Sequence, residues 1–254
     1  MERKTVKILG FDVDIISFDD AIRYLTSRIQ NKQGTHVVTI NPEIIETAQK
    51  DANLSHIIRR AELVVPDGAG IKFAMQFKGI EQEKIPGIDL AAQMLEQANS
   101  FGFKVALIGA KQEILELAEE NIKSHFIDID ICYRHNGYFC IEKEYEIINE
   151  LNLSKPDLVL VALGSPKQEF FINKCRELIP NATYIGIGGS FDVWSGVVER
   201  APEFFRVMNC EWVYRTFKQP QRLKRIYKTL PLFVIKAIIE AIKYRYDNKR
   251  NNNG

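Results

Sequence analysis

Apolar positions along the chain follow two periods. Short, nearly continuous apolar runs occur at His36–Asn41, Leu63–Pro66, Lys104–Gly109, Asp128–Tyr133, Asp157–Gly164 and Thr183–Gly188, and these predict buried strands. Between them, apolar residues recur at helical spacing near Pro42–Gln49, Ile88–Ser100, Gln112–Ser124, Ile141–Leu151 and Pro166–Leu178. An earlier helix is predicted after Ser17-Phe18-Asp19-Asp20, a cap followed by acids in the first turn. Strands alternating with helices of this length predict the α/β class, with a largely parallel sheet covered by helices on both faces. Ligands of such sheets bind beyond the carboxyl ends of the strands, so the residues just after each strand carry the candidate chemistry.

The pattern changes at Arg200-Ala201-Pro202, where strand alternation gives way to continuous amphipathic helix. The predicted organisation is an α/β body over 1–202, a C-terminal basic helical appendage over 203–250 and a disordered tail at 251–254. Charge follows the same division. The stretch from Glu203 to Arg250 holds 12 Lys or Arg against 4 Asp or Glu, a net +8, and the remainder holds 22 against 29, a net −7. A basic appendage on an acidic body points to an anionic partner such as phosphate or a membrane surface. Nucleic acid fits less well, because the body is acidic and no nucleic-acid motif occurs.

Cys132, Cys140, Cys175 and Cys210 form no Cys-x-x-Cys pair, which argues against structural zinc and fits free thiols in a reducing cytosol. Met1-Glu2-Arg3-Lys4 leads into no apolar stretch, so no signal peptide is expected. The most apolar segment, Leu230 to Ile242, is interrupted by Pro231, Lys236 and Glu240 and reads as no membrane span.

Four strand ends stand out. Thr39-Ile40-Asn41-Pro42 places Asn41 as a cap and Pro42 in a first helical turn. Pro66-Asp67-Gly68-Ala69-Gly70 puts a carboxylate after a buried strand, with two glycines opening the next helix. There Asp67 reads either as a helix cap or as a general base beside glycines that admit a substrate. Gly164-Ser165-Pro166-Lys167-Gln168-Glu169 opens a helix whose free N–H groups suit a phosphate or a uracil carbonyl, with Gln168 and Glu169 able to bond a base or ribose. Gly188-Gly189-Ser190-Phe191-Asp192 lacks the spacing of a dinucleotide fingerprint and falls late in the chain, which disfavours an oxidoreductase; a turn before an acid still fits a nucleotide pocket.

Two Asp-x-Asp pairs, Asp12-Val13-Asp14 and Asp128-Ile129-Asp130, lie inside predicted strands, so both carboxylates of each pair share one face, most simply the solvent face, rather than a metal. In the appendage, Arg222 and Arg225 share a helix face and suit phosphate oxygens. Beyond Pro231, Val234, Ile235, Ile238, Ile239, Ala241 and Ile242 form one arc and Lys236, Glu240 and Lys243 the other. With Tyr244, Arg245 and Tyr246 beside it, this helix reads as one lying in a membrane interface, the alternative being packing on the body or in a subunit interface.

The ordered set of strand ends, followed by Glu211-Trp212 and the Arg-rich run, resembles the WecB/TagA/CpsF glycosyltransferase family, glycosyltransferase family 26, over about Val6 to Arg225. The resemblance implies a Rossmann-like fold and an inverting transferase that needs no metal or other cofactor. It implies a UDP-sugar donor, N-acetylmannosamine or a related sugar, and an acceptor of N-acetylglucosamine on undecaprenyl diphosphate. Such products feed wall teichoic acid, enterobacterial common antigen or capsule. The resemblance implies catalytic roles for Asp67 and Thr39. It implies donor binding by Asn41, Gly164, Ser165, Pro166, Gln168, Glu169, Gly188, Gly189, Ser190, Phe191 and Asp192. It implies that Arg215, Arg222 and Arg225 meet the diphosphate and acceptor when the appendage closes the site on the membrane. A cytoplasmic protein peripheral on the inner face of the cell membrane follows, with a dimer or trimer open to it. The family often reads Pro-Asn-Ala after the threonine, where this chain reads Ile40-Asn41-Pro42. The rival class, a non-catalytic membrane-binding protein, explains the appendage but not polar strand ends gathered on one edge.

Overall fold

The computed structural model describes residues 3–203 and 223–252, with the side chains of the last helix described over 229–246. The chain opens with an antiparallel ribbon of β1 (Thr5–Ile8) and β2 (Phe11–Asp14). After α1 (Phe18–Gln30) come β3 (Thr35–Ile40), α2 (Pro42–Ala48), α3 (Ala52–Arg59), β4 (Leu63–Pro66), α4 (Gly68–Phe77) and α5 (Gly87–Phe101). The second half runs β5 (Lys104–Gly109), α6 (Gln112–His125), β6 (Asp130–His135), α7 (Ile141–Ser154), β7 (Leu158–Ala162), α8 (Lys167–Leu178), β8 (Thr183–Gly186) and α9 (Ser190–Trp194). A last helix, α10, spans Leu223–Asn252.

The main sheet has six strands in the order β4-β3-β8-β7-β5-β6, and each neighbouring pair is parallel. Strand residues alternate between two covered faces, which is why the runs read as continuous apolar blocks. On one face Val37, Val65, Leu107, Leu160 and Ile185 pack with α1, α5, α6 and α9. On the other, Val38, Ile40 and Val64 pack with α2, α4, the β1–β2 ribbon and α10, while Ala106, Ile108, Val159 and Val161 pack with α7 and α8.

The helix starts are chemically specified. Ser17 Oγ accepts from the Asp20 N–H at 3.1 Å, and Asn41 Oδ1 accepts from the Ile44 N–H at 3.0 Å with Pro42 in the first turn. The predicted strands are placed correctly to within two residues. The largest slip is at β6, which starts at Asp130 because Phe126 to Asp128 turns the chain out of α6, the Asp128 N–H donating to Asn99 at 3.0 Å.

Two sequence expectations are corrected. Asp14 does not share the solvent face with Asp12. It is buried, takes both a 2.7 Å Nε and a 2.7 Å Nη2 bond from Arg3, and accepts from the Val64 N–H at 2.7 Å, so it ties the ribbon to β4. Nor does the whole polar arc of α10 face solvent: Lys243 is exposed, but Lys236 and Glu240 turn to the body. Lys236 Nζ binds both carboxylate oxygens of the buried Glu46 on α2 at 2.8 Å. Glu240 accepts from the Leu9 N–H at 3.0 Å and pairs with Lys78 at 2.9 Å. Phe233, Ala237 and Ala241 are buried on the same side, while Leu232, Ile235, Ile239 and Ile242 are exposed. Removing one partner of such a pair strands a charge, at a cost of about 3–5 kcal/mol when buried. The helix runs through Pro231, which supplies no N–H to its ladder.

His36, on β3, is buried and neither ring nitrogen has a partner. Burial first, then the nearby Arg176 cation, pushes its pKa down to about 3. The unfolded chain therefore binds a proton near pH 6.5 that the folded chain refuses until about pH 3. Stability attributable to His36 is complete above pH 6.5 and declines below it by about 1.4 kcal/mol per pH unit. A His36→Leu variant is expected to show a shallower fall of melting temperature between pH 6.5 and pH 4; an unchanged acid slope would contradict this.

Candidate active site

The site forms where adjacent strands send their helices to opposite faces. β3 leads into α2 on one face, while its neighbour β8 leads into α9 on the other. That divergence opens a crevice above the carboxyl ends of the strands. On one side of it, Ile40 pairs with Pro66, and the Asp67 N–H donates to the Ile40 carbonyl at 2.8 Å. Asn41 and Asp67 therefore leave the sheet side by side.

Asp67 occupies the cap position of α4, yet its carboxylate makes no capping bond to the helix. It is half-buried at the end of a fully buried strand. Gly68 follows with φ +81, the left-handed region, and open space where a side chain would stand. Gly70 differs. A Cβ there would come within 2.4 Å of Pro42 Cγ and 3.5 Å of Phe233 Cε1, so the room left by this glycine is filled by protein and not by substrate.

Thr39 is buried, and its hydroxyl donates to the Gly186 carbonyl of β8 at 3.3 Å. A Cβ on Gly87, the first residue of α5, would lie 3.0 Å from Thr39 Cγ2 and 3.2 Å from its Oγ1. The Ile85 N–H donates to the Pro66 carbonyl at 2.7 Å, holding the chain before α5 across the end of β4. Thr39 thus sits at a junction of β3, β8 and α5.

On the other side, Gly164 turns the chain at φ +74 and the cis Ser165–Pro166 peptide precedes α8. Gln168 and Glu169 are both buried. Gln168 accepts from the Gly188 N–H at 3.1 Å and donates to Glu169 at 3.0 Å, and its amide fills the space beside Gly186. It stitches the β7 end to the β8 end. Burial raises the Glu169 carboxyl, opposed by bonds from Gln168, its own N–H and Ser165, and its Oε2 is buried without a partner. Ser190 is buried and donates to the Ile187 carbonyl at 2.6 Å; Phe191 is core, tilted against Trp194. Gly188, Gly189 and Asp192 remain at the surface of this turn.

The fold therefore brings Thr39, Asn41, Asp67, the Gly164–Glu169 turn and the Gly188–Asp192 turn to one edge. Arg215 and Arg222 lie outside the described residues, and Arg225 is described only as backbone of α10. Among the described residues no group of His, Cys, Asp or Glu is arranged to hold a metal ion. Three features were not singled out in the sequence. Gly109, ending β5, has no room for a side chain because a Cβ would meet the Ala162 carbonyl at 2.4 Å. Gly137 packs on Gly109 and Leu163, lowering the loop after β6 onto the same edge. Asp89, in the first turn of α5, pairs with Arg200 at 2.5 Å, tying the chain before the appendage to the helix beside Thr39. A glycine at a strand end was the available signal for the first two.

The chain is similar to known proteins over most of its length. A family described as the glycosyl transferase WecG/TagA/CpsF family matches residues 6–247. An N-acetylglucosaminyldiphosphoundecaprenol N-acetyl-beta-D-mannosaminyltransferase of Bacillus spizizenii is 35% identical over 236 residues, covering 92% of this chain and 90% of that protein. With the match running from the β1–β2 ribbon into α10, and so taking in every strand end of the crevice, the chain belongs to the WecG/TagA/CpsF family of glycosyl transferases.

Proposed function

We propose that this transferase moves N-acetylmannosamine from UDP-N-acetylmannosamine to N-acetylglucosamine carried on undecaprenyl diphosphate, with inversion and without a metal, for wall teichoic acid or a related surface polysaccharide. The observation that carries the reading is Asp67, a half-buried carboxylate that leaves the sheet beside Asn41 at the crevice mouth, in a chain 35% identical to a relative named for that reaction. The acceptor hydroxyl oxygen attacks the anomeric carbon from the face opposite the diphosphate. Its proton passes to Asp67 as the bond to the UDP oxygen breaks. Thr39, held by Gly186 and Gly87, sets the floor beside that carboxylate. The Gly164–Glu169 and Gly188–Asp192 turns form the wall for the donor, with Gln168 and Glu169 supporting it from inside. Charge built on the leaving diphosphate falls to Arg215, Arg222 and Arg225.

Membrane docking belongs to the same proposal. Among the described residues no helix is long and apolar enough to cross a membrane. The outer face of α10 instead carries Leu232, Ile235, Ile239, Ile242 and Tyr246, with Ile239 at 62% and Ile242 at 64% exposure, beside exposed Lys243 and Arg245. An apolar stripe edged by cations suits the interface of an anionic leaflet on the cytoplasmic side.

These outcomes are expected. UDP release from UDP-N-acetylmannosamine should depend on a soluble lipid-diphosphate N-acetylglucosamine acceptor and persist in EDTA. In that assay Asp67→Asn should bind UDP normally and be almost inactive; release needing a different sugar nucleotide would reassign the donor, and a fully active Asp67→Asn would exclude it as base. Arg222→Ala should lose on the order of 10²–10³ in turnover with its fold intact, and near-normal turnover would remove the appendage from the chemistry. Ile239→Glu with Ile242→Glu should weaken co-sedimentation with anionic vesicles by roughly tenfold or more while leaving the melting temperature in place; unchanged co-sedimentation would assign that face to another partner. Substitution is the cleaner test than truncation after Thr229, because truncation would also uncover the core that Phe233 fills.

A further inference from the structure

We infer that Phe233 is a positioning residue for the transfer reaction, acting from α10 through Gly70 and Pro42 on the relative placement of Asp67 and Thr39. The inference rests on reading Asp67 as the base. Phe233 is fully buried, and its ring lies 3.5 Å from where a Gly70 Cβ would stand, with Pro42 Cγ 2.4 Å from the same point. The first turn of α4, the first turn of α2 and the middle of α10 therefore meet where no further atom fits. α4 begins directly after Asp67, and α2 begins two residues after Ile40, whose neighbour is Thr39.

The strand-to-helix turn at Asp67 needs such support. Its amide is fixed to Ile40, and Gly68, at φ +81, leaves the next link without a side chain to pack. The contact behind Gly70 fixes the first turn of α4, while Ile71, Ala74 and Met75 pack the rest of that helix into the same core. The helix that supplies that contact is itself clamped to both partners. On the face of Phe233, Lys236 holds Glu46 of α2, and Glu240 holds Lys78 at the end of α4. One ion pair reaches each of the two helices that leave the reactive strand ends. Interior packing transmits small shifts, because a well-filled contact has no slack. A displacement of about 1 Å in a reacting group costs on the order of 10² in rate.

The test uses the full chain, the soluble acceptor and UDP-N-acetylmannosamine, so membrane binding plays no part. Phe233→Ala is expected to lower kcat by on the order of 10². UDP affinity should stay within about twofold, since the donor wall is built from the β7 and β8 ends. Phe233→Leu should recover most of the loss, by refilling the contact. In an Asp67→Asn background, Phe233→Ala should cost little further, because the group it positions is gone. Leu54→Ala, emptying a fully buried site on α3 in the same core, should lower the melting temperature comparably and leave kcat near normal below the transition. A Phe233→Ala enzyme within about threefold of normal kcat, while Asp67→Asn is inactive, would overturn the inference alone. So would an equal kcat loss in Leu54→Ala, or a further loss undiminished in the Asp67→Asn background. A fully active Asp67→Asn would instead overturn the reading of Asp67, and this inference with it.

Discussion

The register of β3 between β4 and β8 is the constraint on which the rest depends. β3 is buried along its whole length and bonds to a parallel neighbour on each side. One pairing sets Ile40 opposite Pro66, so Asp67 leaves the sheet next to Asn41. The other, continued by the Thr39 hydroxyl bond to Gly186, sets the threonine against the β8 end. A slip of one residue in a strand exchanges its faces, placing Val37 and Val38 in each other's cores and turning Thr39 away from Gly186. Register is costly to change here because both faces are covered by hydrophobic clusters.

Around that strand, closeness is bought with glycine. At Gly70, Gly87, Gly109 and Gly186 the missing side chain is replaced by protein: Pro42, Thr39, the Ala162 carbonyl and Gln168. These contacts draw strand ends and helix starts into a rigid rim. At Gly68, Gly164 and Gly188 no atom lies where a Cβ would stand. The glycines thus divide into those that tighten the frame and those that shape the crevice, and sequence position alone does not separate them.

α10 joins the frame by an inverted arrangement. Lys236 and Glu240 face the body because Glu46 and Lys78, both buried, require counter-charges there, whereas Lys243 and Arg245 stay exposed. Its small residues Ala237 and Ala241 let the helix approach closely, and Phe233 fills the deepest point. The larger aliphatic side chains are left on the outside. One helix is thereby bound to the helices behind Thr39 and Asp67 while presenting an apolar stripe outward.

The sequence by itself determined the α/β class, because strands covered on both faces must be apolar throughout while the intervening helices keep their own period. It also determined helix starts such as those at Ser17 and Asn41-Pro42, where one local hydrogen bond or a fixed φ suffices. The strand-end motifs were legible as candidates, since parallel topology leaves only one edge for ligands. What only the tertiary structure decided depends on residues distant in the chain. Asp14 faces inward because Arg3 and the Val64 N–H wait there. Gln168, Ser190 and Phe191 are buried beneath the turns after β7 and β8 because those strand ends lie side by side. The inward face of α10 was illegible because amphipathic spacing separates polar from apolar residues without saying which side finds partners. That choice rests on the ion pairs from Glu46 to Lys236 and from Lys78 to Glu240, each joining residues more than 160 positions apart.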